Sequence, residues 1–303
     1  MDSTMYYDAI IVGGSNAGLS AGLALGRALR KVLIIDSNLP CNRQTPYSHN
    51  FLTRDGDTPE KILTVARTQL ETYTTVSFIT DLVTRATKDG NYFRVDTKSG
   101  KSYAAKKIIF ATGIKDIMPA IKGFDKCWGI SAIHCPYCHG YEFKGEKTGI
   151  LANGDSGFDT GKLISNWTKD LTLYTNGSST LTVEQTGALL QHGIKIVEKE
   201  VSELIHHHGQ VQKVIFKDGS EERLSALYAR LGFTQHCTIP EQLGCELTEQ
   251  GYLRVDIWMK TTTPGIYACG DNTTFMRSIA NAAYNGSVAG AALNMELINE
   301  SFA

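Results

Sequence analysis

The sequence has no excess of positive charge: 30 Lys and Arg stand against 31 Asp and Glu, a formal net charge of -1 with His neutral. Without a positive field to hold a polyanion, no nucleic acid and no anionic membrane surface is expected as a partner. No apolar run approaches the roughly 20 residues that a membrane helix needs. The opening residues are acidic and aromatic, without the basic flank and small-residue cleavage site of a secretory signal, so the expected location is cytoplasmic. Long low-complexity tracts are missing too, and 42% hydrophobic with 20% charged residues is the profile of a folded globular chain. The cysteines lack spaced partners. Seven of them, an odd number, stand at 41, 127, 135, 138, 237, 245 and 269 in a chain too long to need disulfide staples. Only Cys135 and Cys138 are close in sequence; Cys127, Cys237, Cys245 and Cys269 read as thiols, with Cys269 buried in a strand.

At 303 residues the chain exceeds what one core usually serves, and two compact units are expected. Asp8 to Val12 is a short apolar run, followed at once by Gly13-Gly14-Ser15-Asn16-Ala17-Gly18 and a helical stretch to Arg30. A second apolar strand, Lys31 to Ile35, ends at Asp36, near the spacing at which a carboxylate meets a ribose hydroxyl. The pattern predicts a complete βαβ unit that binds a dinucleotide. Gly13 permits the tight turn, Gly18 lets helix and strand approach, and the helix start offers N–H groups to a pyrophosphate. Ser15 departs from the pattern at the middle glycine, where its small side chain and neighbouring Gly14 leave room. A glycine-rich turn that merely joins strand to helix is the competing reading, and it leaves the full βαβ context unexplained.

A distant segment narrows the dinucleotide. Thr261 to Asp271 forms a turn and a short strand ending in Gly270-Asp271, and Arg277, Ser278 and Ile279 open a helix with a small-residue face that includes Gly286 and Gly290. Such a helix alone means only tight packing. In this order the parts resemble the C-terminal signature of two-dinucleotide flavoprotein reductases. The resemblance implies FAD as cofactor, with Asp271 on its ribitol chain and the helix start directed at the flavin ring.

His134-Cys135-Pro136-Tyr137-Cys138-His139-Gly140 carries the chemistry. Two cysteines three positions apart at a helix start can close a small disulfide, and the helix dipole favours a thiolate. Zinc is one rival. It wants four ligands, no second Cys pair exists at finger-like spacing, and His134 and His139 flank the same turn, so no metal is expected. An inert pair of buried thiols is the other rival. The run His206-His207-His208 reads as a solvated hairpin turn, because three adjacent side chains cannot face one ion well.

The glycine motif, the central Cys-x-x-Cys and the Gly-Asp with its helix occur in the order and spacing of the low-molecular-weight thioredoxin reductase family, which the sequence resembles over nearly its whole length. It looks most like the branch of dithiol oxidases that close the disulfides of gliotoxin-like and holomycin-like metabolites. Those enzymes carry Cys-x-x-Cys-His-Gly-Tyr-Glu, here Cys135 to Glu142, where ordinary thioredoxin reductases have aspartate in place of His139. The resemblance implies that Cys138 lies against the flavin C4a, that Cys135 exchanges disulfides with substrate, and that His139 takes protons from the thiols. An imidazole with a reference pKa of about 6.5 can act as base toward a thiol near about 8.5, which a carboxylate near about 3.9 cannot do efficiently. The same resemblance places Cys41 to Arg43 and Asn50 along the FAD and implies a homodimer.

In that family the insert between Lys115 and about Cys237 binds NADPH. Its strand, Lys147 to Ala152, is followed by Asn153-Gly154-Asp155-Ser156-Gly157-Phe158. Aligned to Gly-x-Gly-x-x-Ala, Asn153, Asp155 and Phe158 take the three diagnostic positions and all depart. Asp155 then sets a carboxylate against a pyrophosphate, and Phe158 obstructs the helix-to-strand contact. After the second strand, Asn176-Gly177-Ser178-Ser179 brings none of the arginines that meet a 2′-phosphate. The expectation is a relic domain that does not use NADPH, against the alternative of NADPH in another pose.

The expected fold class is α/β with two nucleotide-binding, Rossmann-like domains: an FAD domain of residues 1–114 and 237–303, and an inserted, degenerate NAD(P)H-type domain of residues 115–236 that carries the Cys-x-x-Cys. The expected activity is FAD-dependent dithiol-disulfide oxidoreduction through Cys135 and Cys138. The partners are a dithiol or disulfide substrate, either a thioredoxin-like protein or a small molecule, and oxygen or another electron acceptor or donor. One alternative is a thioredoxin reductase fed by NADPH or by another donor such as ferredoxin, which the near-neutral charge does not favour. A flavin-containing binding or regulatory protein without turnover is another, and intact Cys135, Cys138 and His139 argue against it.

Overall fold

Tyr6–Val12 is buried on both faces from Ala9 onward, as a strand inside a parallel sheet must be, and forms β1. The structure, a computed structural model, describes residues 6–303. Helix α1 (Asn16–Arg27) leads to β2 (Val32–Asp36), and α2 (Pro59–Glu71) to β3 (Val76–Thr80), the three strands running parallel. An antiparallel hairpin, β4 (Val83–Asp89) and β5 (Tyr92–Thr97), precedes β6 (Ser102–Phe110), which pairs parallel with β1 on the side away from β2. After β7 (Ile114–Asp116) the chain builds α3 (Phe124–Cys127), β8 (Ala132–Ile133), α4 (Pro136–His139), β9 (Thr148–Leu151), α5 (Gly154–Ile164), β10 (Leu171–Tyr174), α6 (Val183–Gln191) and β11 (Lys195–Val197). An antiparallel trio, β12 (Val201–His207), β13 (Gln210–Phe216) and β14 (Glu221–Arg223), and then β15 (Ala226–Ala229) complete this stretch. The return runs through β16 (Phe233–Gln235), which pairs with β7, then α7 (Ile239–Gln242), β17 (Ile266–Ala268) and the long α8 (Ile279–Phe302).

The chain folds as two compact units, one of residues up to Arg43, Pro59–Lys115 and Phe233–Ala303, the other of Gln44–Thr58 and Asp116–Gly232. The sequence division keeps residues 44–58 with the first unit. They pack with the second because Gln44 and Thr45 close on Gly129 and His49 pairs with Glu142.

In the first unit the sheet order is β3-β2-β1-β6-β5-β4, and β17 joins β6. The two share one edge of β6: β5 pairs with Ser102 to Ala105, and β17 with Ile108 to Phe110. Ile10 and Val12 of β1 face one core cluster while Ala9 and Ile11 face the other, so the sheet is covered on both sides. Because β2 and β6 flank β1, the strand order reverses at the carboxyl end of β1, where a crevice opens in such sheets.

The second unit repeats the plan on a smaller scale. Its parallel sheet runs β11-β10-β9-β15-β8, reversing at β9. Both units are Rossmann-like, as the alternation of strands and helices predicts. His206 and His207 end β12 and pair with β13, so only His208 of the run lies in the β12–β13 turn with Gly209, whose N–H donates to His206 Nδ1 at 3.3 Å. Among the described residues, no helix is long and apolar enough to cross a membrane.

Candidate active site

The turn after β1 is too tight for side chains. A Cβ on Gly13 would lie 2.3 Å from the Ala111 carbonyl oxygen, one on Gly14 2.8 Å from the Asp36 Cβ, and one on Gly18 1.9 Å from the Gly13 carbonyl oxygen. Gly13 also takes φ 106°, which disfavours any other residue. Ser15, extended, precedes Asn16 and Ala17 at the start of α1 and makes no side-chain capping bond, so the first N–H groups of the helix are open to an anion.

Helix α8 lies on α1 through small residues alone: a Cβ on Gly286 would meet the Ala17 carbonyl oxygen at 2.1 Å, and one on Gly290 the Ala21 carbonyl oxygen at 2.6 Å. Gly270, at φ 89°, packs on Ala17, which carries Asp271 to the same end of the sheet. Arg277 Nε lies 3.7 Å from Asp271 Oδ2, Ser278 caps α8 by accepting from the Asn281 N–H, and Ile279 is its first residue. Asn272 donates to the Phe110 carbonyl oxygen at 2.9 Å, and its own Oδ1 is buried with no partner among the described residues. The first unit thus gathers Gly13 to Gly18, Asp36, Gly270, Asp271 and Arg277 to Ile279 around a cradle that fits an extended dinucleotide. Asn50 is elsewhere. It sits exposed on the 44–58 segment of the second unit, at φ 59°, with its N–H donating to Asp55 Oδ1 at 2.7 Å.

In the second unit, β8 delivers the chain into α4, with Cys135 at the N-cap and Pro136 at the first helical position, where a missing N–H costs nothing. The Cys135 and Cys138 sulfurs are 2.7 Å apart. Gly140 permits α4 to lie on Trp167, since a Cβ there would come within 2.9 Å of the indole nitrogen, and Trp167 also meets the exposed Tyr137 ring edge-on. The Cys135 thiol is held down, from 9.0 to about 7, chiefly by its bond with Cys138 and then by the backbone N–H groups of Cys138 and Tyr137, against the opposing effect of burial.

His139 follows Cys138 directly, and its N–H donates to the Cys135 carbonyl oxygen at 3.2 Å. Burial lowers the imidazole below its ordinary value, Glu142 pulls it back up, and His49 lowers it again. Glu142 sits 3.3 Å from His49 Nε2, and Asp55 3.7 Å from His49 Nδ1. The structure therefore brings to bear on His139 a carboxylate, Glu142, and a histidine, His49, that the sequence reading did not assign. Glu142, at i+3 from His139, could have been found from spacing; nothing in the sequence marks His49, which arrives from a distant loop. Cys127 and Cys269 are buried, which pushes their thiols up to about 11 and about 12.

The second glycine turn requires a correction. A Cβ on Gly157 would meet the Ala152 carbonyl oxygen at 3.3 Å, as one on Gly18 would meet that of Gly13, so Ala152 takes the first glycine position, Gly154 the middle and Gly157 the last. The sequence alignment is one residue late, and Asn153, Asp155 and Phe158 are not the diagnostic positions. Phe158 does not obstruct the helix. Its ring is half-buried beside the cluster of Ile150, Ile164 and Leu173, under Lys162. Asp155 accepts from Gln185 Nε2 at 2.8 Å. What closes this turn is Asn153, whose Oδ1 accepts from the Gly154 N–H at 2.8 Å and from Thr180, while its Nδ2 donates to the Ser178 carbonyl oxygen at 2.9 Å. The helix start that would greet a pyrophosphate is already capped, and Thr180 Oγ1 lies where a Cβ on Gly154 would be, 2.8 Å away.

The chain is similar to known proteins along its length. Residues 7–286 match the pyridine nucleotide-disulphide oxidoreductase family. Thioredoxin reductase sirT of Leptosphaeria maculans is 31% identical over 98% of this chain and 96% of its own. An oxidoreductase of Agrobacterium tumefaciens superposes with a TM-score of 0.91 at 34% identity, covering 97% of this chain and 99% of that one. The structure of HlmI superposes at 0.92 with 28% identity over 100% and 95%. By this match over most of its length and by its likeness to these relatives, the chain belongs to the pyridine nucleotide-disulphide oxidoreductases, as a thioredoxin reductase-like, FAD-binding enzyme.

Proposed function

We propose that this enzyme is a dithiol oxidase, which takes electrons from a dithiol substrate through Cys135 and Cys138 and does not draw on NADPH. The observation that carries the reading is the pairing of two sulfurs at 2.7 Å with a half-buried His139 whose imidazole is lowered by burial, which favours its base form. A cytoplasmic homodimer is part of the same reading.

A substrate thiolate attacks Cys135 Sγ of the oxidised pair, forming a mixed disulfide and releasing Cys138 as a thiolate. The second substrate thiol then attacks the substrate sulfur of that mixed disulfide and displaces Cys135. The lowered Cys135 thiol makes it a good leaving group in this step. Two electrons and two protons have left the substrate, which departs as a disulfide; the electrons reside on the cysteine pair, and neutral His139 receives a proton and passes it to solvent. Bound FAD supplies the two-electron acceptor that restores the disulfide, with oxygen or another acceptor as the final sink. Exposed Tyr137, between the two cysteines, and exposed Tyr141, three residues after them, offer apolar surface to a small substrate.

One observation favours a second reading, a thioredoxin reductase fed by NADPH: Gly154 and Gly157 retain two of the three glycine positions of the second turn. Anaerobic mixing of the purified flavoprotein with a small dithiol, NADPH or NADH, followed by flavin absorbance, separates the two. Bleaching by dithiol alone is expected; fast bleaching by NADPH overturns the oxidase reading.

A further inference from the structure

We infer that the Tyr228 hydroxyl is a hydrogen-bond donor held for the Cys135 thiolate, stabilising the reduced state of the pair; this rests on the reading of Cys135 and Cys138 as redox-active. Tyr228 lies in β15, in register with Ile133 of β8, two residues before Cys135. It shares the face of Ile133, in a core cluster with Ile150, Ile164 and Leu173, and is 2% exposed. Its hydroxyl is buried and has no hydrogen-bond partner among the described residues. An orphaned hydroxyl in an apolar cluster costs stability that phenylalanine would spare. Tyr174, another buried tyrosine of the same unit, has no such defect, because its hydroxyl donates to Glu222 at 3.1 Å.

The groups whose charge reaches the Tyr228 phenol are Cys135, Glu142 and Cys138. All three are anionic when ionised. Burial first, and then these charges, raise the phenol above its ordinary range, so it stays protonated and, toward a thiolate, can only donate. In the disulfide state neither sulfur bears charge. Neither sulfur accepts from the phenol in the structure; reduction and ionisation of Cys135 create an anionic acceptor toward which the phenol can turn. The other titratable groups around the pair are His139 and exposed Tyr137 on α4, Glu142 just beyond it, and His49 from the 44–58 segment.

Tyr228→Phe removes one oxygen and leaves the ring in its cluster, so the fold is retained. In the reduced holoenzyme, the rate of Cys135 alkylation by iodoacetamide, mapped by mass spectrometry across pH, should fall roughly fivefold to tenfold at pH 7. The equilibrium of the pair against a glutathione buffer should shift toward disulfide by a similar factor. Tyr174→Phe, the control for general loosening, should move neither by more than about twofold. A Tyr228→Phe profile and equilibrium coincident with the parent overturn the inference. Both readings need no turnover, so a flavin that dithiol fails to bleach would sink the oxidase reading and leave the alkylation result standing on its own.

Discussion

Asn153 Oδ1 accepts both the backbone N–H and the hydroxyl of Thr180, at 2.8 and 3.1 Å, and so fastens the loop after β10 across the start of α5. The second turn is closed by its own side chains and not by electrostatic repulsion. Asn153→Gly should lower stability by up to about 1 kcal/mol through the lost cap, read as a lower urea midpoint. It should also tighten NADPH binding roughly tenfold by calorimetry, as the helix N–H groups become available. Tight NADPH binding by the parent protein would contradict this account.

The cysteines have separable duties in the proposed exchange. Cys138→Ser, which has no disulfide for a dithiol to attack, should form a mixed disulfide on Cys135 only when given the substrate in its disulfide form, visible as added mass, while flavin bleaching by dithiol slows by ~10³ or more. Cys135→Ser should lose both. Because Cys135 is held down to about 7, its alkylation should rise through that pH, well below the 9.0 of an ordinary thiol. A midpoint near 9 would remove the case for an activated sulfur.

His139 is lowered by burial, so its base form persists above a pKa under 6.5 and is lost as pH falls through it. Dithiol reduction of the flavin should therefore be level near neutrality and decline on the acid side. His139→Ala should cost about 10²-fold or more and abolish that limb. Glu142 acts to raise the imidazole, so Glu142→Gln should move the limb to still lower pH. Movement in the opposite direction would show that Glu142 does not act on His139.

Helix α8 depends on having no side chains where it crosses α1. Gly286→Val would drive a branched side chain into the Ala17 backbone, from which even a Cβ would be 2.1 Å away, and the two helix starts at the cradle would separate. The expected result is protein purified with little flavin, measured as the visible-to-ultraviolet absorbance ratio. Retention of full flavin would mean that this crossing does not shape the cradle.

A network beside that crossing should govern acid stability. Burial works against ionisation of Glu296, but hydrogen bonds from Lys107, Lys260 and Tyr267 prevail and hold it at about 2, down from 4.5. A depressed carboxylate stabilises the fold above its unfolded value. That contribution should fade as pH falls from about 4.5 toward about 2. Lys107→Met, which leaves Glu296 and Glu300 without their shared cation, should cost about 3 kcal/mol at pH 7 and flatten the acid loss in urea titrations.

The parts legible in the sequence were those with local physical signatures. The first βαβ unit showed itself through Gly13, Gly18 and Asp36, and the Cys-x-x-Cys through its spacing. The second turn misled because Asn153-Gly154-Asp155-Ser156-Gly157 admits two registers, and only the close approach of Gly157 to the Ala152 carbonyl chooses between them. His49 and Tyr228 were invisible for a different reason. They reach the cysteine turn from a distant loop and a distant strand, and long-range placement leaves no periodic trace.

The pairing of β7 with β16 has a topological consequence. Residues 116–232 leave and re-enter the first unit on two strands hydrogen-bonded to each other, so the ends of this long segment are joined in the folded sheet. Loop closure grows only slowly with length, by roughly 0.6 kcal/mol per doubling. Segments of very different size could therefore hang from the same ribbon at nearly equal cost to the sheet that holds it.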